Sequence, residues 1–148
     1  MVLRKKGQAA MEFLMTYGWA ILVVLAAIGA LAYFGVLSPD RFMPEKCTLP
    51  SGVACLDFTA SQTQVVMRIQ NSAGFDMSNV VVQVQDSNGT VNCAASGDTT
   101  LTNGETDTYT CAGTFTPGKL KSTVSLQYTN AQTGLSHTKT GELIAKVE

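Results

Sequence analysis

The chain has little of what catalysis or metal binding needs. Its single histidine, His137, stands in the polar stretch Leu135-Ser136-His137-Thr138 with no carboxylate or nucleophile pattern beside it, so a surface strand residue is its expected role. No Cys-x-x-Cys spacing occurs, and four cysteines with one histidine do not match the usual zinc-ligand patterns. Glycine-rich phosphate loops are absent, and Asp57, Asp76, Asp86, Asp98, Glu105 and Asp107 are scattered without calcium-loop spacing. Only the Asp98–Asp107 loop leaves a weak calcium site open. No catalytic residue, metal or cofactor is expected, and an enzyme is the least expected class.

Charge is also missing from one long stretch. Between Phe13 and Pro39 no residue is charged, and Leu, Ile, Val, Ala, Phe and Met dominate. Crossing the hydrocarbon core takes about 20 apolar residues, and at about 1.5 Å per residue Phe13–Leu37 makes a helix of roughly 37 Å. A membrane span is expected. The apolar core of a secretory signal is only about 7–15 residues long. Arg4, Lys5 and Lys6 precede the run, which places the N-terminus in the cytoplasm and the remainder outside. Without residues 1–7 the chain holds seven basic and eleven acidic side chains, a net of −4. That balance leaves no basic stripe to neutralise phosphates, so nucleic acid is not an expected partner.

Within the apolar run, Gly18, Ala20, Ala26, Ala27, Gly29, Ala30, Ala32 and Gly35 set small residues among large ones. Small side chains let helices approach closely in an apolar medium. Glu12 sits at the edge of the run, where an unpaired carboxylate is costly and asks for a cationic partner. The bland alternative is a carboxylate favoured by the helix dipole, worth about 0.3–1 kcal/mol.

The stretch Arg4-Lys5-Lys6-Gly7-Gln8-Ala9-Ala10-Met11-Glu12-Phe13, with the apolar run after it, resembles the archaeal type IV pilins that carry a class III signal peptide. Ala10 stands where that family often has Ser. The resemblance implies cleavage between Gly7 and Gln8 by a prepilin peptidase, with Gln8 as the mature N-terminus. It further implies that Gln8, Glu12 and Phe13 serve assembly, the Glu12 carboxylate pairing with the free amine of Gln8 on its own or a neighbouring subunit. The implied function is a structural subunit, held in the membrane as a precursor, that forms a homopolymeric surface filament for adhesion. The peptidase, an assembly ATPase and a membrane platform protein are the implied partners. Two other readings stand beside it: a minor pilin-like or single-span anchored surface-binding domain, and an archaellin-type motility subunit.

The expected organisation is a leader at 1–7, a helix at 8–37, a linker at 38–46 broken by Pro39 and Pro44, and an outer domain at 47–148. After Cys47 the periodicity shifts to two. The candidate strands are Val53–Thr59, Gln64–Gln70, Val80–Gln85, Thr90–Cys93, Asp107–Phe115, Lys121–Thr129 and Leu135–Val147, the last interrupted near Gly141. Turn signals separate them at spacings that predict an immunoglobulin-like antiparallel β-sandwich, and so an α+β chain. All four cysteines lie beyond the helix, on the expected oxidising side. Of the three connectivities, Cys47–Cys55 and Cys93–Cys111 are expected, because each pair is near in sequence and flanks a turn. Asn88-Gly89-Thr90 is a glycosylation sequon, although Asn88-Gly89 also reads simply as a type I′ hairpin turn.

Overall fold

The computed structural model describes residues 2–36 and 42–148. The chain divides into two units, Met1–Phe42 and Met43–Glu148. The first is the helix α1, Val2–Tyr33. Good helix formers carry it, and the charge-free part from Phe13 to Tyr33 is about 31 Å long at 1.5 Å per residue. It stops on a glycine ahead of Ser38-Pro39. Gly35 adopts φ 68°, the Gly35 N–H donates to Ala32 O at 3.1 Å and the Val36 N–H to Leu31 O at 3.1 Å. This is a Schellman ending, in which only a residue free to enter the left-handed region closes the last turn. The expected break at Ser38-Pro39 lies outside the described residues.

The second unit is built from eight strands: β1 Lys46–Thr48, β2 Val53–Ala60, β3 Gln64–Asn71, β4 Met77–Asp86, β5 Gly89–Ala95, β6 Thr106–Ala112, β7 Gly118–Asn130 and β8 Ser136–Val147. They do not form a sandwich. Seven of them run β8-β2-β3-β6-β5-β4-β7, and β7 returns to β8, so the sheet closes into a barrel with β1 attached along β8. The expected immunoglobulin-like fold is thereby corrected. The cause lies in the two longest strands. β8 pairs with β7 from Gly118↔Val147 to Thr129↔Ser136, which uses one whole edge of β8. Its other edge then takes β1 at Cys47↔Leu143 and β2, in parallel, at Ala60↔Val147. A closed ring leaves no second sheet to pack against, so each strand's inner face must fill the lumen itself.

That filling follows a period of two. Val65, Met67, Ile69 and Asn71 from β3, and Leu120, Ser122, Val124, Leu126 and Tyr128 from β7, alternate into the interior. Two bulges shift the parity. In β2 the register steps from Cys55↔Ile69 to Asp57↔Arg68. Leu56 is thus the extra residue and stays exposed, while Val53 before it and Phe58 and Ala60 after it pack on the core. In β4 the irregularity lies between Ser78 and Val81, where Asn79 takes φ 50°. Met77 before it and Val80, Val82 and Val84 after it all face inward.

Gly141 does not interrupt β8, which runs through it. A Cβ there would stand 2.2 Å from Thr48 O and 2.8 Å from Leu49 Cδ2. Glycine is required because the chain leaving β1 lies directly against β8 at that point. On the outer face Ile144 is buried between Lys46 and Lys121, its register partners. Glu142 bridges both ammonium groups, at 2.7 Å and 4.0 Å.

Candidate functional site

Gly7, Gln8, Glu12 and Phe13 all lie in α1, which continues unbroken through the Gly7-Gln8 bond. Gln8 and Glu12 are four residues apart and so share one face of the helix. Both are exposed. The Glu12 backbone carbonyl accepts the Thr16 hydroxyl at 2.8 Å, and Phe13 meets Tyr17 one turn on, ring centroids 4.7 Å apart. Nothing lies within 4 Å of a Cβ built on Gly7, Gly18 or Gly29. Within Lys6–Tyr33 the most apolar 18-residue window has a mean hydropathy of 2.1, and none of that window is buried within the chain. It is long and apolar enough to serve as a membrane anchor or signal sequence.

In the barrel, Cys47 is joined to Cys55 and Cys93 to Cys111. Cys93 and Cys111 continue the register of Ala94↔Thr110 and Ala95↔Tyr109, directly opposite each other on β5 and β6. Cys111 is fully buried.

The acidic loop between Asp98 and Asp107 spends its carboxylates locally. Asp98 Oδ1 accepts the Thr100 N–H and hydroxyl, and the hydroxyl bond in particular holds its carboxyl below the usual aspartate range. Glu105 Oε2 accepts the same pair of groups from Thr102. Asp107 accepts the Ser96 hydroxyl, the Thr108 N–H at 2.7 Å and the Gly97 N–H at 3.3 Å. Among the described residues no three His, Cys, Asp or Glu side chains are grouped to hold a metal ion.

Below that loop sits a polar residue that sequence reasoning missed. Asn71 is fully buried. Its Nδ2 donates to Phe75 O and Leu101 O, both at 2.8 Å, and its Oδ1 accepts the Ala73 N–H at 3.0 Å. The backbone adds Asn71 N–H to Glu105 O at 2.9 Å and Gly104 N–H to Asn71 O at 2.8 Å. One side chain therefore ties the turn after β3 to the loop before β6. Its signal was its parity with Val65, Met67 and Ile69, which marks it as inward-facing although its type suggests only a turn. Tyr109, also buried, lies near the same loop. Burial, and then the charges of Asp107, Glu105 and Asp98, push its hydroxyl up to about 12.

His137 is exposed on β8 opposite Tyr128, ring centroids 5.4 Å apart. The Lys139 ammonium lies 6.0 Å from the Tyr128 centroid and donates to Ser51 O. Asn88 is exposed at the tip of the β4–β5 hairpin. Because Asp86 pairs with Gly89, the turn is centred on Ser87 and Asn88. A type I′ turn centred on Asn88-Gly89 would need φ > 0 at Asn88, and Asn88 has none. The expected I′ reading is corrected to a turn capped by Asp86, whose Oδ1 accepts the Asn88 N–H at 2.8 Å and the Gly89 N–H at 3.0 Å.

No protein-family model matches this chain, and no curated protein matches it.

Proposed function

We propose that the chain is a pilin subunit, cut between Gly7 and Gln8 and polymerised through α1 into a type IV pilus-like surface filament that serves adhesion. The observation that carries this reading is a helix that is charge-free from Phe13 to its end, with no internal cover for its apolar window, preceded by Lys6-Gly7-Gln8 and a single carboxylate, Glu12. Such a helix needs an apolar surround. Lipid supplies it to a monomer, and neighbouring helices supply it in a filament at little desolvation cost, since acyl chains and a Leu/Ala bundle are similarly apolar. Residues such as Gly18 and Gly29, open to close approach, favour the bundle. The barrel, stapled by two disulfides, suits the outer, oxidising side. Prepilin peptidase, an assembly ATPase and a membrane platform protein are the partners this function requires.

A single-span anchored surface domain is the second reading, favoured by the continuity of α1 across Gly7-Gln8. Intact mass and N-terminal sequencing of the protein from its native membrane and from sheared surface material decide between them. A chain beginning at Gln8 and enriched in sheared filaments is expected. A chain that retains Met1–Gly7 and stays in the membrane overturns the pilin reading and leaves the anchor.

A further inference from the structure

We infer that Asn88 is a glycosylation site and that the first sugars attached there lie in a groove of the barrel beside it. Three observations converge on this residue. It heads the sequon Asn88-Gly89-Thr90. The hairpin tip presents both Asn88 and Thr90 to solvent, so the side chain and the hydroxyl two residues on are reachable together. Asn88 also forms part of the wall of an open groove of about 580 Å³, completed by Gln62, Thr63, Thr114, Phe115, Thr116 and Pro117. That size falls within the range of ligand clefts, about 300–1,000 Å³.

The groove is built into the fold. The Gly113 N–H donates to Thr63 O and the Phe115 N–H to Gln62 O, both at 3.0 Å, which locks its two loops together. A Cβ on Gly113 would stand 2.9 Å from Val91 Cγ2, so the loop rests on β5, the strand that leaves the Asn88 turn. Exposed amide and hydroxyl groups of Gln62, Thr63, Thr114 and Thr116 stand beside the apolar Pro117, over the buried Phe115, a mixture suited to a sugar, which carries both hydroxyls and C–H faces.

In the transfer, Asn88 Nδ2 bonds to the anomeric carbon of a lipid-linked sugar phosphate. The bond from that carbon to the phosphate oxygen breaks, the lipid phosphate leaves with the electron pair, and Nδ2 loses one proton. No oxidant or reductant is needed. The product keeps one N–H on Nδ2, and Asp86 Oδ2, which accepts from Nδ2 at 3.3 Å in the unmodified side chain, is the acceptor beside it. The inference needs the barrel outside the cell, which the disulfides support, but it does not need a filament.

The test is peptide mapping of the full chain purified from its native membrane, with Asn88→Gln, Thr90→Ser and Thr90→Ala variants made in the same host. A mass increment on Asn88 is expected in the parent and in Thr90→Ser, and none in the other two. An unmodified Asn88 in the parent overturns the site. Hydrogen exchange then compares the parent with Asn88→Gln: amides of Gln62, Thr63 and residues 113–116 should exchange several-fold more slowly with the glycan present. Equal rates on a modified protein overturn the groove. The N-terminus, read from the same sample, reports separately on cleavage at Gly7.

Discussion

Cys47 and Cys55, their Cα atoms 6.0 Å apart, join β1 to β2 where the barrel's hydrogen-bonded ladder is thinnest. On that side β2 meets β8 only at Ala60↔Val147. The second bridge has the same relation to its surroundings: β5 and β6 pair at Ala94↔Thr110 and Ala95↔Tyr109, and Cys93–Cys111 extends that short ladder by one step. The other neighbours are held by longer runs, such as β3 to β6 from Gln64↔Ala112 to Gln70↔Thr106. Each disulfide therefore closes a seam that backbone hydrogen bonds leave weak.

This predicts distinct losses. Loop-closure entropy for sequence separations of 8 and 18 gives about 2.5 kcal/mol for the first bridge and about 3 kcal/mol for the second. Replacing Cys47 and Cys55 together by Ser should speed hydrogen exchange first along β2 and at the end of β8. Replacing Cys93 and Cys111 should lower the melting temperature further, since buried Cys111 also leaves a polar hydroxyl in the core. Unchanged exchange along β2 in the first variant would refute the seam argument.

A second prediction concerns Asn71. Truncation to Ala removes three side-chain hydrogen bonds at a fully buried site and should cost about 2–4 kcal/mol by denaturant titration. Asn71→Asp keeps the shape but turns an acceptor toward Phe75 O and Leu101 O. Ionisation is then opposed in the folded state, which raises that carboxyl above its unfolded value of about 3.9. The variant should be closest to the parent below pH 4 and lose stability as pH rises from there to 7. A penalty independent of pH would mean that the side chain is not confined between those carbonyls.

Alternation was readable along the chain because lumen and solvent impose a period of two on Gln64–Asn71 and Gly118–Asn130. Closure was not. A sandwich strand and a barrel strand present the same alternating pattern, and the difference lies in which edges meet, as with Ala60 and Val147. β1 is too short, at Lys46–Thr48, to carry a pattern of its own. Leu56 and Asn79 break the parity in β2 and β4 without a glycine to announce it. The residues around Gly7, Gln8 and Glu12 could be singled out without any structure, because a Gly-Gln pair behind a basic cluster and a lone carboxylate before an apolar run are local features.

Tyr109 gives the barrel an alkaline limit. Its hydroxyl sits at about 12 when folded, against 10.0 otherwise, so the neutral form is favoured by the fold. The full contribution is present below pH 10 and disappears as pH rises from 10 through 12, for a total of roughly 3 kcal/mol. Tyr109→Phe keeps the aromatic ring that fills the core, so it should retain the fold and should flatten the fall in stability across that window. A parent and variant that lose stability in parallel between pH 10 and 12 would count against burial of Tyr109 as the cause.

On the proposed pilin function, the last prediction separates the two roles open to Glu12. If the carboxylate served only the helix dipole, its loss would cost about 0.3–1 kcal/mol, less than about a tenfold change in any assembly equilibrium. If it neutralises the amine of Gln8 within an apolar helix bundle, Glu12→Gln leaves an unpaired ammonium there. A charged group at the centre of a membrane helix costs about 2.5–3.5 kcal/mol on insertion scales, equivalent to roughly a hundredfold. Glu12→Gln should therefore still be cut at Gly7, since the cut lies a full helical turn away, yet its share in sheared filaments should fall by about two orders of magnitude relative to the membrane pool. Quantitative mass spectrometry of the two fractions measures that ratio. A fall of less than tenfold would assign Glu12 to the dipole and leave close packing at Gly18, Gly29 and their neighbours to drive assembly alone.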